Sequence, residues 1–165
     1  MSRKIDFEAL EATTDIEYLV CHIGLLWRRL INSKIKPLGI SGTEKRVLFC
    51  ILRNSGLNQV QMATLLDLEP QNLMRSLDRL EKNGWIERQT DAKDRRVKCP
   101  YLTVAGKKII SKIQSLSNQL KPHILANMDE KNIQYVVKYL AQMRENINQQ
   151  LEIEEPATKT LKILS

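Results

Sequence analysis

Gln71, Asn72, Arg75 and Arg79 are spaced to share one side of a helix that begins at Pro70. Their chemistry is that of base recognition. Gln and Asn amides pair bidentately with adenine, and an arginine guanidinium pairs with guanine. At the start of such a helix Pro70, Gln71, Asn72 and Arg75 would meet base edges. Arg79, one turn further on, would lie nearer the phosphates. A second charged group follows in TDAKDRRVKCPYLT, residues 90–103, where six side chains are charged. A basic loop tip can enter a minor groove, whose narrow A·T-rich segments concentrate negative potential. Asp94 opposes phosphate on its own, so its place beside Arg95 and Arg96 makes sense as a brace that holds an arginine extended. The plainer alternative is a solvated helix face and a surface ion pair, which contributes little.

Such residues need a scaffold, and hydrophobic periodicity supplies one. Ile16, Leu19, Val20, Ile23, Leu26, Trp27, Leu30 and Ile31 predict a long amphipathic helix over about 13–36, stopped by Pro37 and Gly39. Ser41 or Thr43 can cap a second helix, with Val47, Leu48, Ile51 and Leu52 inward. Asn58 and Gln61 have capping-box spacing ahead of a short helix burying Val60, Ala63, Leu65 and Leu66. Pro70 suits the first turn of a fourth helix, which buries Leu73, Leu77 and Leu80 and ends at Asn83-Gly84.

Two short strands, 85–89 and 97–102, bracket the charged loop, and Pro100 confines the second to an edge. Thr103 caps a fifth helix with a stripe of Ile109, Ile113, Leu116 and Leu120, which Pro122 should kink or end. Asp129 caps a sixth, with Ile133, Val136, Val137, Leu140, Met143 and Ile147 inward. The fold class is mainly α: six helices and a two- to three-stranded β-wing, an α+β winged helix-turn-helix. Residues 41–103 form the winged domain, 1–40 and 104–151 are flanking helices, and 152–165 are a tail without clear pattern.

Composition narrows the function. The net charge is +7; the first twenty residues carry −3 and the last fifteen −1, which leaves 21–150 at +11. A basic body favours a polyanionic partner. Three widely spaced cysteines, Cys21, Cys50 and Cys99, fit neither a disulfide framework nor a zinc site, and suit a reducing cytoplasm. No apolar run reaches the roughly 18–20 residues of a membrane helix. No phosphate-binding, zinc-protease or serine-hydrolase motif is present, so no catalytic residue, metal or cofactor is expected.

The run LNQVQMATLLDLEPQNLMRSLDRLEKNGWIERQTDAKDRRVKCPYLTVAGKK resembles the winged-helix region of the MarR family, and most of all its SlyA-like branch. The resemblance rests on LEKNGWIER at Leu80–Arg88, DRR at Asp94–Arg96 and LTxxG at Leu102–Gly106, and extends over about 13–150 with the flanking helices. It implies a homodimer built on the first, fifth and sixth helices, with the two winged domains on a pseudo-palindromic duplex. It places the wing arginine at Arg96, gives Arg95 a phosphate, and puts base reading at Pro70, Gln71, Asn72 and Arg75. Gln71 and Asn72 are not the family's commonest residues there, which leaves the operator open. A dimer also has a reason in the sequence, because the end helices carry more apolar surface than a small winged domain can cover. It would set half-sites about 34–36 Å apart.

The resemblance further implies release by a small aromatic or lipophilic effector, for which His22, Trp27 and Arg28 are candidates; the plainer reading makes Trp27 core. Repression and activation both stay open. The rival function is a winged helix that binds protein or RNA.

Overall fold

The computed structural model describes residues 15–90 and 97–154. The chain divides into two compact units, 1–42 and 43–165. In the first, Asp15 accepts from the Glu17 amide at 3.0 Å and opens α1, Ile16–Ile35. Its next residues make a single 3₁₀ turn, Lys36–Leu38, with Pro37 near its start and Gly39 in the left-handed region at φ 72°. Ile31, Ile35 and Ile40 are buried.

The second unit holds α2 (Gly42–Arg53, less its first residue), α3 (Gln59–Leu66) and α4 (Pro70–Lys82). It continues with β1 (Ile86–Thr90), β2 (Lys98–Leu102), α5 (Val104–Ile124) and α6 (Glu130–Glu154). Asn58 and Gln61 form the expected capping box, at 2.9 and 3.0 Å. Pro70 is the first residue of α4, where its missing amide hydrogen forfeits no bond. Gly84, at φ 69°, turns the chain out of α4, and the Trp85 amide bonds back to Leu80. The two strands pair antiparallel, Arg88 opposite Pro100, and among the described residues the sheet has these two strands only. The core of the unit joins Val47, Leu48 and Ile51 of α2, Met62 of α3, and Leu73, Leu77 and Leu80 of α4. Ile86 of β1 and Ile109, Ile110 and Ile113 of α5 complete it.

Several expectations need correction. Val60 is 75% exposed. On α3 the inward arc runs through Met62, Ala63 and Leu66, and at about 100° per residue Val60 falls well off it. Leu65 and Leu66 are half-buried, and Leu52 is exposed. Pro122 does not end α5, which runs two residues further. It sits in the last turn, where one absent backbone bond disturbs little downstream. α6 extends to Glu154, three residues past the expected limit. Its apolar residues Val136, Val137, Leu140 and Ile147 are exposed, as are Ile23, Leu26 and Leu30 of α1. Periodicity identifies an apolar stripe but not what covers it.

Candidate nucleic-acid interface

α4 has two faces of opposite chemistry. Leu73, Leu77 and Leu80 are at most 1% exposed, and Ser76 between them bonds the Asn72 carbonyl at 2.9 Å. On the solvent side Gln71, Arg75, Asp78 and Lys82 follow one another at helical spacing, flanked by Asn72 and Arg79 on one side and Met74 on the other; all are exposed. The structure therefore brings Pro70, Gln71, Asn72 and Arg75 together at the outer, N-terminal half of one helix. Asp94, Arg95 and Arg96 lie outside the described residues. β1 ends at Thr90 before them in the chain, and β2 begins at Lys98 after them.

Polar contacts that sequence reasoning missed fix this helix. Arg88 of β1 reaches back to Asp78 Oδ1 at 2.5 Å and Glu81 Oε2 at 3.6 Å, tying the base of the wing to α4. That contact sets an arginine against the one carboxylate on the Gln71–Lys82 stripe. Glu44, in the first turn of α2, is 1% exposed, and its Oε1 stands 2.9 Å from Nε of Arg79. Arg46, also of α2, donates to the carbonyl of Leu66, the last residue of α3. A signal for Glu44 was present: it precedes Val47 by three and Leu48 by four, on the core stripe of its helix.

Thr103 fastens the far side of the wing. Its amide donates to Trp85 O at 3.1 Å, its hydroxyl donates to Gly84 O at 2.7 Å, and the same Thr103 Oγ1 accepts from the Gly106 amide at 3.0 Å.

A cleft of about 700 Å³ opens between α2, the end of α3 and α5. Lys45, Arg46, Arg53 and Lys121 line it together with Phe49, Cys50 and Leu66, and the lining includes no acid. The Arg53 guanidinium sits over the Phe49 ring, 5.8 Å from its centroid. Burial pushes the Cys50 thiol above its usual range, against a smaller lowering by Asn54. The effector candidates of the sequence reading lie on α1, in the other unit. There His22 packs its ring on Tyr18, centroids 5.3 Å apart, and Trp27 is 37% exposed.

The MarR family model matches residues 40–98, which span α2 through the first strand and its loop. Wild-type MarR from E. coli, in its apo form, superposes with a TM-score of 0.72 at 26% identity, covering 78% of this chain and 95% of that one. The fold is that of the MarR winged-helix regulators. The transcriptional regulator SlyA is similar at 27% identity and TM-score 0.69, over 84% of this chain and 98% of its own. A MepR–DNA complex from S. aureus matches at 21% identity and TM-score 0.62, over 80% and 96%. The MarR fold is one of transcriptional regulators rather than of enzymes. Among the described residues no group of three His, Cys, Asp or Glu could hold a metal, and no helix is long and apolar enough to cross a membrane.

Proposed function

We propose that the chain is a homodimeric, sequence-specific regulator of transcription that binds double-stranded DNA in the cytoplasm, of the SlyA-like branch. α4 enters the major groove with Pro70, Gln71, Asn72 and Arg75 toward base edges and Arg79 toward a phosphate. Arg96 enters the neighbouring minor groove, Asp94 braces it, and Arg95 contacts phosphate. The observation that carries this reading is the division of α4 into a closed leucine face and an open amide and guanidinium face. The MepR match adds support, since a protein of this fold was solved on DNA.

A second copy is the occupant we infer for the exposed apolar residues of α1 and α6. On that basis residues 1–40 and 104–151 serve dimerisation, 41–103 serve DNA reading, and 152–165 follow as a tail. The acid-free cleft beside α2 suits a small aromatic or lipophilic anion better than His22, Trp27 and Arg28 do alone.

Selection of bound fragments from random duplexes tests the reading. Enrichment of two half-sites separated by about 34–36 Å is expected. Arg75→Ala should relax the preference at one base pair, at about 1–3 kcal/mol. Arg96→Ala should weaken binding and its A·T dependence. Absence of any duplex enrichment would refute it in favour of a protein- or RNA-binding winged helix.

A further inference from the structure

One charge pair crosses from α2 to the recognition helix at a place where packing alone would call for an apolar side chain. Glu44 is 1% exposed and lies on the same stripe of α2 as Val47 and Leu48, both fully buried. Taking a carboxylate out of water is unfavourable, and replacing a buried ion pair with apolar groups is often neutral or stabilising. Apolar packing is therefore not the reason for an acid here. The pair is also lopsided: the Arg79 side chain is 64% exposed while that of Glu44 is closed off.

The atoms in contact suggest the purpose. Glu44 Oε1 meets Nε of Arg79, the inner nitrogen of the guanidinium, at 2.9 Å. The two terminal nitrogens form the fork suited to a phosphate, and the Arg79 side chain as a whole stays 64% exposed. An exposed arginine loses rotamer freedom when it grips a phosphate. Held by charge against the buried Glu44 carboxylate, with no hydrogen bond between Nε and Oε1, it has given up part of that freedom before DNA arrives.

We propose that Glu44 is a positioning residue for DNA binding, which holds Arg79 in the pose that meets a backbone phosphate and so fixes the register of α4 on the duplex. The inference rests on the DNA reading above. It makes a prediction whose sign opposes simple charge counting. Glu44→Gln removes a negative charge, which by long-range electrostatics should tighten binding to a polyanion. Loss of the tether should weaken it instead.

The experiment measures affinity for the selected operator by fluorescence anisotropy across a salt series, for the wild-type protein, Glu44→Gln, Arg79→Gln and the double variant. We expect about tenfold weaker binding for Glu44→Gln, and a salt slope shallower by about 1.8 for the dimer, one phosphate lost per protomer. The double variant should match Arg79→Gln. Arg79→Lys keeps the charge at an exposed position but has no inner nitrogen to tether, and it should lose affinity as Arg79→Gln does; it serves where Glu44→Gln does not fold. Binding by Glu44→Gln that equals or exceeds wild type overturns the inference and leaves the DNA reading intact, as does full affinity in Arg79→Lys. Wild-type protein that binds no duplex overturns the DNA reading and this inference with it.

Discussion

Gly106→Ala tests how the wing is held. A Cβ at Gly106 would stand 1.9 Å from Trp85 O, 3.0 Å from Trp85 C and 3.3 Å from Leu102 Cδ2. The nearest atom is backbone, so no rotamer change relieves the clash. Reaching even 3.0 Å requires the carbonyl and α5 to part by about 1.1 Å. That carbonyl accepts from the Thr103 amide at 3.1 Å, and a shift of this size breaks the bond. Overpacking costs about 1–3 kcal/mol, and a stranded buried polar group about 1–3 kcal/mol more. Better helix propensity of Ala over Gly returns up to about 1 kcal/mol. The net expectation is about 1–6 kcal/mol of destabilisation, to be set against the roughly 5–15 kcal/mol that holds a typical domain. Urea unfolding at one fixed protein concentration measures it, since an oligomer's stability depends on concentration. A variant within about 0.5 kcal/mol of wild type would show that the α5–wing junction yields freely, and the reasoning would fail.

If the proposed dimer forms on α1, Leu26→Glu should convert it to a monomer in sedimentation, because the interface would have to desolvate a carboxylate from each copy at several kcal/mol; a variant still dimeric at micromolar concentration contradicts the proposed interface. Arg46→Met keeps the apolar stem but strands the Leu66 carbonyl, and should lower stability by about 1–2 kcal/mol in urea; an unchanged midpoint argues that water replaces the guanidinium. At neutral pH a maleimide should label exposed Cys21 first, while Cys50, buried and with its thiol pushed up, carries less thiolate and reacts only on unfolding or at higher pH. Mass spectrometry of labelled peptides reads this, and equal rates at Cys21 and Cys50 would be the contrary result.

Much of the fold was legible because its signals are local. Asn58 with Gln61, Pro70, Gly84, Thr103 and Asp129 each act on backbone groups within a few residues, and each caps or turns the chain where expected. The two faces of α4 were legible for a related reason, since helical spacing alone separates Leu73, Leu77 and Leu80 from Gln71 and Arg75. Contacts between elements were not. The spacing in GTEKRVL puts Glu44 on the buried stripe with Val47 and Leu48, but nothing in it names Arg79 as the partner. Nor does it say that Arg46 reaches Leu66, twenty residues on. The cleft was missed for the same reason, because its basic lining gathers from α2 and α5, which lie more than fifty residues apart in the chain. Val60 misled because a helix of eight residues is too short for periodicity to fix its phase.

Those unforeseen contacts share a property that bears on base reading. Apolar packing of Leu73, Leu77 and Leu80 is strong but weakly directional, and it sets how far α4 lies from its neighbours better than it sets rotation or sliding along its axis. A bidentate pair to a base edge tolerates only a few tenths of an ångström. Contacts between charged and polar groups supply what the leucines do not. Arg88 fixes Asp78 and Glu81 near the end of α4, Glu44 holds Arg79 from the side, and Arg46 pins the end of α3 just before the turn that launches α4. Each is a charged group in contact across elements, by hydrogen bond or ion pair, and together they reach the two later turns of the helix. Its first turn, with Gln71 and Asn72 exposed, carries none of these contacts, and on the proposed reading it is the part that meets the groove.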